Sequence, residues 1–229
     1  MFLGTLLVVR HRSVRLVSML AGIVLLLGML GPGAGVAPTP HWLFLICGSL
    51  VAVAGARLLA PGAALTSARR VAGPWWLAPG GRLLGGLILL VPFLALGTVI
   101  AGAPGGDAAG ALRLAGIALL YAAALGGLAL ALAPLLGATA AGSLGLVGAW
   151  LGGIGPSDVH TLLAGWGFVQ RPAVLLWNTL PLAWRAERWY REGATDDLIV
   201  LAAWVPVAFA LAAWAVGSTG RRSTPEEVA

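Results

Sequence analysis

The side chains able to do chemistry are few, and they are placed so that they cannot do it together. Cys47 is the only cysteine, and the histidines are His11, His41 and His160. Gly142-Ser143-Leu144-Gly145 sets a serine between glycines inside an apolar run, the setting of an intramembrane serine nucleophile. Such a serine needs a histidine from another span as its base. All three histidines fall outside the apolar runs, so Ser143 reads as a small packing residue. A single thiol excludes an intrachain disulfide, and in an apolar run it packs rather than reacts. The carboxylates lie between runs or in the tail, and no His/Cys/Asp/Glu cluster has metal-ligand spacing. There is no G-x-x-x-x-G-K-[ST] in the chain, so it cannot cradle ATP phosphates by that motif. With all eight Asp and Glu outside the runs, proton or ion coupling through this chain alone is not expected.

The elements that carry these residues are membrane helices by every compositional measure. Of 229 residues, 59% are hydrophobic and only 10% charged, and mean hydropathy is +0.95. An ordinary soluble domain is about 25% charged. Six runs of about 15–23 residues, at roughly 1.5 Å per residue, suffice to cross a hydrocarbon core of about 30 Å. They are 16–30, 42–60, 83–102, 111–133, 134–153 and 198–216. The expected fold is all-α, a single polytopic membrane domain over 1–229 with six transmembrane helices. An interfacial helix opens the chain, held to anionic head groups by Arg10, Arg12 and Arg15. Basic residues that follow the apolar start, rather than precede it, argue against a cleavable signal peptide.

The net charge of +6 is carried by arginine alone, and its distribution sets an orientation. Arg10, Arg12 and Arg15 place the N-terminus in the cytoplasm. The link 31–41 has no Asp, Glu, Lys or Arg and falls outside; 61–82, with Arg69, Arg70 and Arg82 and no acid, falls inside. The link holding Asp107 falls outside, and a tight inner turn is expected at Ala133-Pro134. The segment 154–197 is extracytoplasmic, since Asp158, Glu187, Glu192, Asp196 and Asp197 outweigh its four arginines. Arg221 and Arg222 return the C-terminus to the cytoplasm. Charges scattered along membrane borders do not make a nucleic-acid surface, so no nucleic acid is expected as a partner.

Three segments have more character than a span. In the fifth run Gly137, Ala141, Gly145, Ala149 and Gly153 recur every four positions, a stripe that lets another helix approach closely. The inner link 61–82 carries Trp75-Trp76 among glycines and prolines, fitting either a tryptophan-anchored loop or a docking element for a cytoplasmic partner. The outer segment contains two short apolar pieces joined at Gln170-Arg171, read as helices that dip into the membrane and return. After them, Ala183–Gly193 mixes Trp184, Arg185, Glu187, Arg188, Trp189, Tyr190, Arg191 and Glu192. Its i, i+4 spacing of Trp184, Arg188 and Glu192 puts aromatic and ionic contacts on one face. This is the pattern of an outer interfacial helix.

The layout resembles the permease subunits of ABC transporters of the type-2 exporter class. At residue level the likeness lies in Leu180-Pro181-Leu182-Ala183-Trp184 before a charged helix. It lies also in Arg69-Arg70-Val71-Ala72-Gly73, then Pro79, then Arg82-Leu83-Leu84-Gly85. In that family an acidic residue usually stands beside the arginine of the coupling helix, whereas here Thr66-Ser67-Ala68 precede it. The resemblance implies a bacterial inner-membrane transport subunit with no enzymatic activity and no cofactor of its own. ATP and Mg²⁺ would be held by a separate nucleotide-binding ATPase docked on Arg69, Arg70, Trp75, Trp76 and Arg82, beside a second permease copy or a related permease. Few polar groups lie within the runs (Ser49, Arg57, Thr98, Tyr121, Thr139 and Ser143), which suits an amphipathic or hydrophobic substrate. The alternative is a non-catalytic anchor or assembly subunit of a respiratory or photosynthetic complex, without haem because no span carries a histidine.

Overall fold

Long stretches of Ala, Leu and Gly without charge leave each backbone amide no better partner than the carbonyl one turn back, and the chain folds accordingly as helices. A computed structural model describes residues 39–58 and 108–221, together with 87, 88, 90–95, 16, 19 and 23. Among these residues the protein is all-helical, with no strand. The helices are α1 (Thr39–Leu58), α2 (Ala108–Leu136), α3 (Ala138–Leu151), α4 (Pro156–Leu162), α5 (Gln170–Thr179), α6 (Ala183–Glu192) and α7 (Thr195–Arg221). A single 3-10 turn, Gly167–Val169, leads into α5.

By length and composition α2 and α7 can each cross a membrane. So can α3 and α4 taken together, although they meet at a bend of 102°. The described residues therefore hold two candidate spans, or three if the bent pair is one. The first apolar run is described only at Leu16, Met19 and Ile23, all exposed, and the third only at Leu87, Ile88 and 90–95. In the latter, Leu90 and Leu94 are buried in the main core.

The turn after the fourth run is not where the sequence reading puts it. Pro134 lies inside α2, and the chain reverses at Gly137, whose φ of 87° lies in the region that favours glycine. Proline near a helix end deletes only one backbone hydrogen bond, so α2 runs past it and stops where the backbone can change hand.

Close approaches between helices fix their directions. Gly48 of α1 lies under the Tyr121 ring of α2, where an added Cβ would meet the hydroxyl at 2.6 Å, and Val51 packs against Gly126. Gly127 of α2 meets Ala208 of α7, and Ala131 and Ala133 share a cluster with Ala212. In both pairs the numbering rises together, so α1, α2 and α7 run parallel. Gly145 of α3 meets Ala52, and Gly153 just beyond α3 meets His41, so α3 runs the other way. The core follows from these contacts: Phe44, Tyr121, Leu114, Ile117 and Leu201 are essentially fully buried.

Candidate functional site

The ends of α1, α3 and α7 that come together support a polar cap. The carbonyl of Gly152, left unpaired where α3 stops, accepts the Trp184 backbone N–H at 2.7 Å. That bond starts α6 against the end of α3. Leu182 and Ala183 fill the space over Gly152, where a Cβ would lie 3.2 Å from the Ala183 nitrogen. Gly193, left-handed at φ 72°, ends α6 by bonding back to the Trp189 carbonyl at 2.9 Å, and the chain turns at once into α7. The first turn of α7 then carries Asp196 and Asp197, a favourable place for negative charge.

Asp197 is the centre of the cap. It is 2% exposed and ion-paired with Arg185, itself 7% exposed. Its other carboxylate oxygen, Oδ2, lies 3.4 Å from Arg188 Nε, and the same guanidinium reaches Glu192 at 3.5 Å. The Arg185 guanidinium also stacks over the Trp184 ring at 4.5 Å. One helical turn of α6 thus clamps the start of the last long apolar helix.

A second link ties α6 to α1. His41 Nδ1 donates to Glu187 Oε1. His41 lies just ahead of the second apolar run. Its pKa is raised above the ordinary value, chiefly by the Glu187 hydrogen bond, against the lowering effects of burial and of Arg191. Beside it opens a cleft of about 670 Å³, lined by His41, Trp150, Gly153, Ile154, Asp158, Thr161 and Leu162. The cleft owes its existence to the 102° bend, which carries α4 away from the bundle.

Helices α4 and α5 form a short hairpin outside the bundle. Gln170 Nε2 donates to the His160 carbonyl at 3.0 Å and Trp177 Nε1 to the Ile154 carbonyl at 2.9 Å. Trp204 Nε1 of α7 donates to the Thr179 carbonyl. Phe168 at its tip is 90% exposed, with Leu162 at 66% and Trp166 at 63%.

Of the residues singled out from sequence, the proposed docking set Arg69, Arg70, Trp75, Trp76 and Arg82 lies outside the described residues. The stripe in the fifth run narrows to its middle. Ala141 and Ala149 are buried and Gly145 touches Ala52, whereas Gly137 sits in the turn with open space around it and Gly153 lies past the helix end. Trp184, Trp189 and Tyr190 face the bundle from α6, with Trp189 and Tyr190 packed on its core. Arg188 reaches the ionic partners Glu192 and Asp197, while the Trp184 ring is covered by its neighbour Arg185 instead. Sequence reasoning passed over Arg185 and Asp197 as a pair, and His41 with Glu187. The first pair joins the opening turn of α6 to the opening turn of α7, twelve residues on.

Among the described residues no group of three or more His, Cys, Asp or Glu is placed to hold a metal ion. The Ser49 and Tyr121 hydroxyls are buried in the helix bundle without a hydrogen-bond partner there. No family model matches the chain, and comparison with curated proteins and with solved structures gives no match either.

Proposed function

We propose that this chain is a six-span, permease-like membrane subunit that works with a separate ATPase in an exporter of the type-2 ABC class. The observation that carries the reading is the order of parts before the last long helix. A bent helix pair and an outlying hairpin lead into a charged, aromatic-rich helix, which is clamped to the start of α7 through Arg185 and Asp197. Directions support it as well. Parallel α1, α2 and α7 with antiparallel α3 are what alternating spans two, four, six and five require. In that arrangement the cap is extracytoplasmic and both termini are cytoplasmic. The hairpin, with Phe168, Trp166 and Leu162 exposed, dips into the outer leaflet. The link 61–82 receives the ATPase through Arg69, Arg70, Trp75, Trp76 and Arg82, and closure of the ATPase tilts the spans of two permease copies or of two related permeases.

A non-catalytic assembly subunit is the competing reading, and small-residue packing with two buried, unpartnered hydroxyls fits it too. One experiment separates them. The tagged protein is purified from its native membrane in mild detergent, its companions are identified by mass spectrometry, and ATP hydrolysis is assayed. The exporter reading expects a stoichiometric nucleotide-binding protein that is lost on joint Arg69→Ala, Arg70→Ala and Trp75→Ala substitution. Recovery of other membrane subunits only, without ATP hydrolysis, overturns it.

A further inference from the structure

The cleft at the α3–α4 bend has a mixed lining. His41, Asp158 and Thr161 are its polar residues; Trp150, Ile154 and Leu162 are its apolar ones. Glu187 already occupies the His41 Nδ1 position, whereas Asp158 has no ion pair or hydrogen bond from its carboxylate among the described residues. An exposed carboxylate and an exposed tryptophan lining one cleft offer an organic cation both a charge partner and a π face. Exposed apolar surface does not stop at the cleft. From Trp150 it continues along the outward face of α3 through Val147 and Leu144, each exposed and about one turn further on. A ligand filling this shape has a small positive head and a long apolar body.

We propose that the cleft binds an amphipathic ammonium compound, its head between Asp158 and Trp150 and its apolar chain along Val147 and Leu144 of α3. The chemistry is shared by an aminophospholipid and by a free alkyl amine. The inference rests on membrane placement of the bundle and not on transport, so it stands or falls apart from any ATPase partner.

The test uses the full-length protein in a non-ionic detergent micelle and native mass spectrometry of retained ligands. Phosphatidylethanolamine and phosphatidylglycerol of equal chain length are offered together, and dodecylamine is offered separately. The wild type is expected to retain phosphatidylethanolamine over phosphatidylglycerol by about two- to fivefold, the scale of one exposed charge pair. Asp158→Asn should abolish that preference while eluting as a folded monodisperse species, and Trp150→Ala should reduce it. Asp196→Asn, which removes the same charge from an exposed site in α7, should leave it intact. Retention of dodecylamine, lost in Asp158→Asn, without retention of phosphatidylethanolamine supports the site with a free amine as its source. Equal retention of both lipids with no Asp158-dependent retention of dodecylamine, or an unchanged preference in Asp158→Asn, overturns it.

Discussion

The seam between α1, α2 and α3 and the cap built by α6 hold the same bundle together by opposite means. In the seam nothing is charged: Gly48 under Tyr121, Gly126 against Val51 and Gly145 against Ala52 bring backbones together by leaving side chains out. In the cap, apolar packing of α6 is joined by ion pairs, in which Arg185 and Arg188 meet Asp197 and Glu187 meets His41. Shape in the seam resists addition, and charge in the cap resists one-sided subtraction. The comparison teaches where each kind of substitution does its damage.

The largest effect is expected from subtracting in the cap. Asp197→Ala leaves Arg185 buried and unpaired, which costs about 3–5 kcal/mol when a buried pair is broken on one side. Denaturation of the purified protein by sodium dodecyl sulfate should show it as an early midpoint. Replacing both partners, as Arg185→Leu with Asp197→Leu, should recover most of the loss, because no orphaned charge remains. A double variant as unstable as Asp197→Ala would mean that the cap works by specific geometry and not by charge balance.

Adding to the seam comes next. Gly145→Leu drives a side chain into Ala52, where even a Cβ lies 2.5 Å away, and overpacking of this kind costs about 1–3 kcal/mol. Gly116→Leu, with nothing within 4 Å of its Cβ, is the control on the same type of helix and should be close to neutral by the same measurement. Equal damage at both positions would remove the distinction between a packed seam and an ordinary apolar helix.

The smaller tests concern single links. The pKa of His41 is raised in the folded protein, so the stabilisation from its pair with Glu187 is complete below the unfolded value near 6.5 and is lost as pH climbs through the raised one. Glu187 raises that value, Arg191 lowers it, and Asp158 shares the cleft with the ring. The His41 side chain is 41% exposed, so solvent screening holds the effect below about 1 kcal/mol. Thermal unfolding followed between pH 5 and 9, a range of about two units around the ordinary histidine value, should fall with pH and flatten in His41→Gln. Least of all, Phe168→Ser should change unfolding in detergent by no more than about 0.5 kcal/mol, because the ring touches little of the fold.

The two regions also differ in how far they could be read from residues alone. Helix positions in the second, fourth, fifth and sixth runs follow from apolar length, since α1, α2, α3 and α7 each overlie one of them. The every-fourth-residue stripe located the packed face of α3 through Ala141, Gly145 and Ala149. It could not locate the ends of that face, because a glycine repeat looks the same in a helix and in the turn that breaks it. Gly137 is such a turn. The bounds of that charged helix were also legible, because Ala183–Gly193 matches α6 and its left-handed cap to the residue. Its bonds were not. Glu187 meets a histidine 146 residues away, and local spacing carries no information on a pairing that distant. The cleft was invisible for a related reason, since it depends on a bend angle at Gly152–Gly155 and not on any residue pattern.

That bend has a further consequence for the surrounding lipid. Straight helix α3 has 14 residues, about 21 Å of rise, before the chain turns aside, against a hydrocarbon thickness of about 30 Å. The neighbouring α2 has 29 residues and no such shortfall. A bilayer meeting both must be of ordinary depth on one side of the bundle and pinched on the other, at a cost of some fraction of a kcal/mol per ångström of mismatch. Placed in a bilayer, the bundle would therefore respond to acyl chain length: short chains would relieve the pinch at α3, and long chains would press on the edge of the bundle from which α4 turns away.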